Sequence, residues 1–599
     1  GGEIWNTVKP YFTNKGHKGK SEISLMENGN LITNPHEVSE ILNDFYATVA
    51  DHIGGEIAED TDFSNHPSIL TITEHLGNFS DKKFEFKTIH PKDIKRKIDK
   101  LQTNKSAGYD NIPPKIVKLS SDIIVYPITH IVNQMIETSI FPNSLKLANI
   151  TPVYKKKDAL DKSNYRPVSV LTSLSKINES IIAEQLVDYF QDIFSEYLSA
   201  YRQGRGCQVV LTHLVETWKK QLDNGNYIAA ILMDLSKAFD CLPHPLLQSK
   251  FKAYNISPEA VDLLMDYLTN RLQRVRIGNS YSSWRQITKG VPQGSILGPV
   301  IFNIFINDFI LTLKDKCLVT NYADDNTLSV FARLLANALT SVKDVSLAAI
   351  EWFEVNYMLA NPDKFQFLVM SPNIREQPEC ELDLGTVTLK NDLEAKLLGV
   401  IIDSKLNFTS HVKILISKGA RQIKALRRIS SYLTEDVRMM LFRSYILSHF
   451  KYCSPAWHQC GRTNTQKLEL IQYRALRFVY EDESSSYEYL LSKAQLPTLE
   501  LDRLYTIAIE IYKTVNEMNP GYMSELFTRR NIVYNLRSNN VLNISHHRTV
   551  TYGIHTVSHT ATKIWRNLPE STKNSENLRV FKENIKKWQG FQCHCYLCV

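Results

Sequence analysis

Two carboxylates stand side by side in Asn321-Tyr322-Ala323-Asp324-Asp325-Asn326, between the apolar runs Cys317-Leu318-Val319 and Leu328-Ser329-Val330. That order predicts a strand, a tight turn and a second strand, with both acids at the tip. Asp-Asp-Asn is also ordinary solvated turn chemistry. Adjacent acids repel each other, however, and a divalent cation between them would relieve the repulsion. A third acid, Asp234, ends the near-continuous apolar run from Tyr227 to Leu235. Such a run predicts a strand buried on both faces. An acid at its end is costly unless it is paired or holds a metal.

Groups suited to phosphate surround these acids in the sequence. Lys155-Lys156-Lys157-Asp158 separates the extended stretch Ala148–Tyr154 from Asn164-Tyr165-Arg166-Pro167-Val168-Ser169, which predicts a basic hairpin with Arg166 across from the lysines. Lys289-Gly290-Val291-Pro292-Gln293-Gly294-Ser295 is a Gly-rich loop, and Pro299 is expected to open the next helix at its first position. Transfer of a nucleotidyl group to a 3′-hydroxyl needs two divalent ions about 4 Å apart, held by oxygen ligands on rigid elements. Asp234, Asp324 and Asp325 could supply them.

The elements that must position these groups are legible from periodicity. His36–Tyr46 reads as an amphipathic helix with Val38, Ile41, Leu42 and Phe45 on one face, and Ile94, Ile98 and Leu101 mark another after Pro91. Leu335–Phe353 reads as a helix, Phe365–Met370 as a strand, and Leu397–Asp403 as one further buried strand. From His411, the residues Val412, Ile416, Gly419, Ile423 and Leu426 form an apolar face, with Lys418, Arg421, Lys424 and Arg428 opposite. Residues 405–480 hold fourteen Lys or Arg against three acids, a net +11 that exceeds the +7 of the whole chain. Charge concentrated in this way favours contact with a nucleic-acid backbone over a mixed solvated surface. Trp565, Leu568, Phe581, Ile585 and Trp588 predict a small C-terminal helical core.

At 599 residues the chain is long enough for several domains, and 43% hydrophobic with 22% charged residues is ordinary globular composition. Nine scattered cysteines suggest a reduced intracellular protein. Only Cys593-His594-Cys595-Tyr596-Leu597-Cys598 has zinc-like spacing, without a partner pair. The most apolar segment, Val300–Leu313, is interrupted by Asn303, Asn307 and Asp308 and is too short to cross a bilayer.

Taken together, these boxes resemble those of reverse transcriptases. Ala230–Asp240 is similar to their first acidic box, Gly290–Ser295 with Leu297-Gly298-Pro299 to the template and nucleotide box, and Tyr322-Ala323-Asp324-Asp325 to the second acidic box. Asn164–Ser169 is similar to the fingers box. The order and spacing resemble the non-LTR (LINE, jockey-like) retrotransposon enzymes, as do Trp5–Tyr11 and Ala561–Pro569. The loop Gly108-Tyr109-Asp110 departs, with Tyr where that group usually has Pro.

The resemblance implies an α+β right-hand polymerase with an antiparallel palm sheet and a helical thumb. It divides the chain into an arm (1–90), fingers and palm (91–405), a basic helical thumb (406–480) and a mixed helical C-terminal domain (481–599). Asp234, Asp324 and Asp325 would be the catalytic carboxylates and ligands of two Mg2+ ions, with Mn2+ as a substitute. Phe239 would be the steric gate against a ribose 2′-hydroxyl. Lys155, Lys156, Arg166, Ala238, Gln293, Gly294 and Lys364 would bind the nucleotide, Lys364 as proton donor to the leaving pyrophosphate. Leu398 and Gly399 would grip the primer, and Arg421, Lys424 and Arg428 would hold the primer and template. The implied partners are an RNA template, a DNA primer and deoxynucleoside triphosphates, with no membrane, in the nucleus and a cytoplasmic ribonucleoprotein. The first eighty residues are too short for the upstream endonuclease of such elements, and no acidic cluster marks an RNase H. The chain, which starts at Gly1, is therefore expected to be a fragment that extends a primer without cutting its own target. The alternative is an inactive or host-adopted remnant that binds RNA.

Overall fold

The computed structural model describes residues 23–49, 57–58, 61–77, 82–155, 157–529, 542–543, 546–588 and 590. The elements that build the site are, in chain order, α1 (Pro35–Thr48), β1 (Leu147–Tyr154), β2 (Tyr165–Val170), α2 (Ser173–Phe190), α3 (Cys207–Asp223), β3 (Tyr227–Ser236) and β4 (Arg271–Ile277). They continue with α4 (Leu297–Leu313), β5 (Leu318–Tyr322), β6 (Asp325–Ala332), α5 (Leu335–Val355), β7 (Leu359–Ala360) and β8 (Gln366–Met370). Last come β9 (Glu394–Leu397), β10 (Val400–Asp403), α6 (Thr409–Arg427) and α7 (Arg462–Tyr480). The chain is thus a mixture of helix and strand.

β3 is the centre of an antiparallel sheet. On one side it pairs with β6, which pairs in turn with β5; on the other it pairs with β7 and β8. Its apolar run is continuous because each face has its own core. Ala229, Ile231, Met233 and Leu235 enter a cluster with α2, α4 and α5, while Ile228, Ala230 and Leu232 enter a second cluster with α3 and α6. Side chains alternate along a strand, so a strand packed on both sides needs an apolar residue at every position.

A second sheet carries β1 between β2 (antiparallel) and β4 (parallel). The sequence-predicted helix near 36–46 is α1, and it packs Val38, Leu42 and Tyr46 on this sheet against Ala148, Ile150, Tyr165 and Val275. Asn43 donates to Ser283 O at 2.8 Å and Glu40 accepts from Ser283 N at 2.6 Å, so two adjacent turns of α1 are fastened to the loop between two further short strands of this sheet, Ser280–Tyr281 and Arg285–Ile287.

α4 is buried along nearly its whole length, which accounts for its apolar sequence. Its interrupting polar residues are internal anchors. Asp308 pairs with Lys250 at 2.7 Å, both side chains fully buried, and accepts from Trp352 Nε1 at 2.8 Å. Among the described residues no helix is long and apolar enough to cross a membrane. The helix begins at Leu297, so Pro299 occupies its third position rather than its first. All of the first helical N–H groups lack an intrahelical acceptor, so proline is tolerated there as well.

The single strand expected over Leu397–Asp403 is instead a hairpin, β9 and β10, turning at Leu398 (φ +45°) and Gly399 (φ +84°). Two successive left-handed residues make a tight turn whose twist matches that of paired strands, and one of the two is the glycine that tolerates it. α6 and α7 follow, close enough at Gly419 that an added Cβ would lie 3.0 Å from Ile471. The charge excess of this region is smaller in three dimensions than in sequence. Arg438 pairs with Glu481 at 2.7 Å, Arg477 with Glu483 at 2.5 Å and Lys451 with Asp502 at 2.9 Å, all acids lying beyond residue 480. The C-terminal core contains Trp565, Leu568, Phe581 and Ile585, with Trp588 packed at its edge.

Candidate active site

Asp325 pairs directly with Asp234 across β6 and β3, and with Tyr322 across β6 and β5. The turn between β5 and β6 is therefore only Ala323 and Asp324. Ala323 sits at φ +57°, a region uncommon for a residue with a Cβ. Two buried asparagines hold it there. Asn321 Nδ2 donates to Ala323 O and to Asn326 Oδ1, both at 2.9 Å, and Asn326 Nδ2 donates to Asp324 O at 3.3 Å. Read locally, Asn326 belongs to ordinary solvated turn chemistry; in the fold it is buried. The signal for its role was a polar residue at matching strand positions on either side of the turn.

The three aspartates sit in one electrostatic neighbourhood. Partial desolvation and then the charges of Asp324 and Asp234 push the Asp325 carboxyl up to about 6, opposed by Lys155. Lys364 Nζ lies 2.5 Å from Asp234 Oδ2, brought there by the short turn Pro362–Lys364 between β7 and β8. Oxygen donors on two paired strands suit magnesium, which keeps several waters and does not need an all-protein cage. Among the described residues no three His, Cys, Asp or Glu side chains form such a cage.

Beside the aspartates, the chain leaves β3 at Lys237 (φ +52°). Ala238 is buried, and Phe239 stacks on Phe302 of α4 with centroids 4.4 Å apart. Tyr201 meets Phe239 edge-on at 6.2 Å. The Gly-rich loop is bound to this segment residue by residue. Gly290 N donates to Leu242 O and Val291 N to Phe239 O, each at 2.8 Å. Gln293 Nε2 donates to both Asp240 oxygens, at 2.8 and 2.9 Å. On the other side Ser169 N of β2 donates to Gln293 O at 2.7 Å. Gly294, at φ +113°, passes so near β2 that a Cβ would lie 2.7 Å from Ser169 O. Glu179 of α2, fully buried, accepts from Ile296 N at 2.6 Å and Leu297 N at 3.3 Å and so caps α4. A carboxylate at that end complements the helix dipole. Glu179 went unremarked in the sequence because nothing local separates it from a surface acid on α2.

Lys155 directly follows β1 in the β1–β2 hairpin, and Arg166 is exposed on β2 opposite Val153. Lys156 lies outside the described residues, as do Trp5–Tyr11 and the Cys593–Cys598 tail. Leu398 and Gly399 form the β9–β10 turn, and Tyr452 OH donates to Leu398 O at 2.8 Å while its ring lies 3.2 Å from a Cβ built on Gly399. Tyr452 is thus a further residue of this corner that the sequence did not single out. Arg421, Lys424 and Arg428 are exposed on and just after α6. The six described cysteines are free thiols.

The acidic hairpin, opposed to a third aspartate, thus stands with an aromatic residue and a Gly-rich loop beside it. Residues 154–402 match the family described as reverse transcriptase (RNA-dependent DNA polymerase). It is similar to the probable RNA-directed DNA polymerases from transposon BS and transposon X-element of Drosophila melanogaster, 27% identical to each, over 410 and 399 residues respectively. It is also similar to the RNA-directed DNA polymerase from mobile element jockey of Drosophila funebris, 25% identical over 397 residues. These alignments cover 66%, 65% and 64% of this chain and 45%, 44% and 43% of the relatives, so the chain spans under half their length. One of these names, mobile element jockey, is also that of the group which the motifs resemble.

Proposed function

We propose that the chain extends a DNA primer 3′-hydroxyl on an RNA template, consuming deoxynucleoside triphosphates, as the polymerase of a non-LTR retrotransposon. The carrying observation is the direct cross-strand pairing of Asp325 with Asp234 inside a domain that matches the reverse transcriptase family. Domain by domain, the sheet centred on β3 serves as palm, the β1–β2–β4 sheet as fingers with α1 fastened to it, and α6 with α7 as thumb. The proposed boundaries remain 1–90, 91–405, 406–480 and 481–599.

Asp234, Asp324 and Asp325 would hold two Mg2+ ions. When bound, these ions supply Lewis acidity at the attacking hydroxyl and at the leaving pyrophosphate. The chain's own residues do the rest. Lys155 and Arg166 bind the triphosphate, and Arg166 suits a bidentate grip on phosphate oxygens. The ring of Phe239, fixed by stacking on Phe302, excludes a 2′-hydroxyl. Lys364 holds a proton within reach of the carboxylates and can deliver it to the pyrophosphate. The Leu398-Gly399 turn, braced by Tyr452, positions the primer end, and Arg421, Lys424 and Arg428 bind the duplex backbone. Such a chain works in an intracellular ribonucleoprotein.

The test is primer extension by the purified chain on an annealed RNA template, beside Asp324→Asn. Extension by the wild type and a loss of about three orders of magnitude in the variant supports the reading. No extension by either, with salt-sensitive RNA binding intact, would replace it with an RNA-binding remnant.

A further inference from the structure

We infer that Asp240 is a positioning residue that decides which end of the Gln293 amide faces the nucleotide, an inference that rests on the polymerase reading above. Gln293 is held at two points. Its backbone carbonyl accepts from Ser169 N at 2.7 Å, and its Nε2 is turned onto both oxygens of Asp240, at 2.8 and 2.9 Å. Among the described residues nothing donates to its Oε1. An amide is ambivalent, with a donor and an acceptor end of nearly the same shape. A carboxylate partner removes the ambivalence, because it accepts only. The amide must therefore turn its NH2 inward and its carbonyl outward, and the loop presents an acceptor.

Asp240 is itself held rigidly enough to do this. Its backbone N–H donates to Lys237 O at 2.8 Å, closing the turn after β3. Gly290 passes so near that a Cβ there would meet the Asp240 carbonyl oxygen well inside contact distance. Tyr46 of α1, Arg271 and Gln273 line a small cavity of about 30 Å³ together with Asp240 and Gln293. The residue directly before it is Phe239, whose carbonyl accepts from Val291 N at 2.8 Å. The gate ring and the amide therefore belong to one hydrogen-bonded unit, and Asp240 is the side chain that joins them. Burial raises the Asp240 carboxyl above the usual carboxylate range, while Lys237 and the Gln293 amide act in the opposite direction and favour its charged form.

The test compares full-length wild type, Asp240→Asn, Gln293→Glu and the Asp240→Asn/Gln293→Glu pair in steady-state primer extension, with thermal unfolding of each. In Asp240→Asn the new side-chain amide can donate to Gln293 Oε1 and so lets the glutamine turn round. Gln293→Glu alone sets two carboxylates against each other. In the pair, the asparagine introduced at position 240 donates to the carboxylate introduced at position 293, which again faces outward with an acceptor. The expected result is a KM for the deoxynucleotide raised about tenfold or more in each single variant, with kcat changed much less. The pair should recover most of that loss while all four unfold within a few degrees of one another. A purely structural role would move unfolding temperature and leave KM alone. An active wild type with no rescue in the pair, or with Asp240→Asn unchanged in KM, overturns the inference by itself. An inert wild type that unfolds cooperatively overturns the polymerase reading, and this inference with it.

Discussion

Asp325 lies directly across the antiparallel ladder from Asp234, one carboxylate on each of two paired strands. Directly opposed residues share a face of the sheet, with Cβ atoms about 5 Å apart, and like charges there destabilise the pair. The arrangement costs folding energy, which the proposed divalent ions would offset.

The cost has a pH dependence of known sign. Asp325 is raised from 3.8 to about 6 in the folded chain. Its protonated form is favoured by folding, so its contribution to stability is complete below about pH 4 and lost as pH rises through about 6. In the absence of divalent ions, Asp325→Asn should flatten the fall in stability between about pH 4.5 and 7 and raise the unfolding temperature at about pH 7.5. Magnesium should protect the wild type more at neutral pH than at about pH 5. Thermal unfolding in EDTA and in magnesium measures both; parallel pH curves for wild type and variant would refute the crowding argument.

The Phe239 ring stacks on Phe302, with centroids 4.4 Å apart. Phe239→Ala should admit ribonucleotides, raising their kcat/KM relative to deoxynucleotides by about two orders of magnitude. Phe302→Ala, which leaves the gate residue in place, should relax the selection partially. Competitive incorporation assays read both, and unchanged sugar selection in Phe239→Ala would remove it from that role.

Several basic groups of the 405–480 region are paired with acids beyond it, whereas Arg421, Lys424 and Arg428 are exposed and form no ion pair among the described residues. Neutralising all three should weaken template–primer binding and reduce the slope of log K against log salt by about one unit for each phosphate no longer neutralised. Neutralising Lys451, which is paired with Asp502, should change the slope much less. Equal slopes in wild type and triple variant would mean that this face does not meet the nucleic acid.

The Lys250–Asp308 pair is fully buried, with Trp352 as its third member, and burial pulls the Lys250 ammonium down to about 8 against the opposing effect of Asp308. Lys250→Met leaves a buried carboxylate without its cation and should cost about 3–5 kcal/mol in denaturant unfolding. Replacing both by apolar residues of similar volume should cost much less. A single variant as stable as the wild type would show that water already reaches the pair.

The sequence alone specified the parts whose chemistry is local. The acidic hairpin, the apolar strand ending near Asp234, the Gly-rich loop and the apolar face of α6 were all legible, because turn chemistry and side-chain periodicity act over a few residues. The order of the boxes carried the family resemblance. What the sequence could not contain was which distant groups meet. The opposition of Asp325 to Asp234, the capping of α4 by Glu179 and the pairing of Arg438 with Glu481 each join residues from different elements. Register and packing decide them, and neither is encoded in a local window. The same reason explains the two local errors. Leu397–Asp403 is apolar throughout apart from Gly399 and its final acid, so its pattern could not reveal a turn at Leu398-Gly399 that the contact with Tyr452 braces. Pro299 marks a helix start only to within a turn, and the start itself was set by Glu179 reaching in from α2.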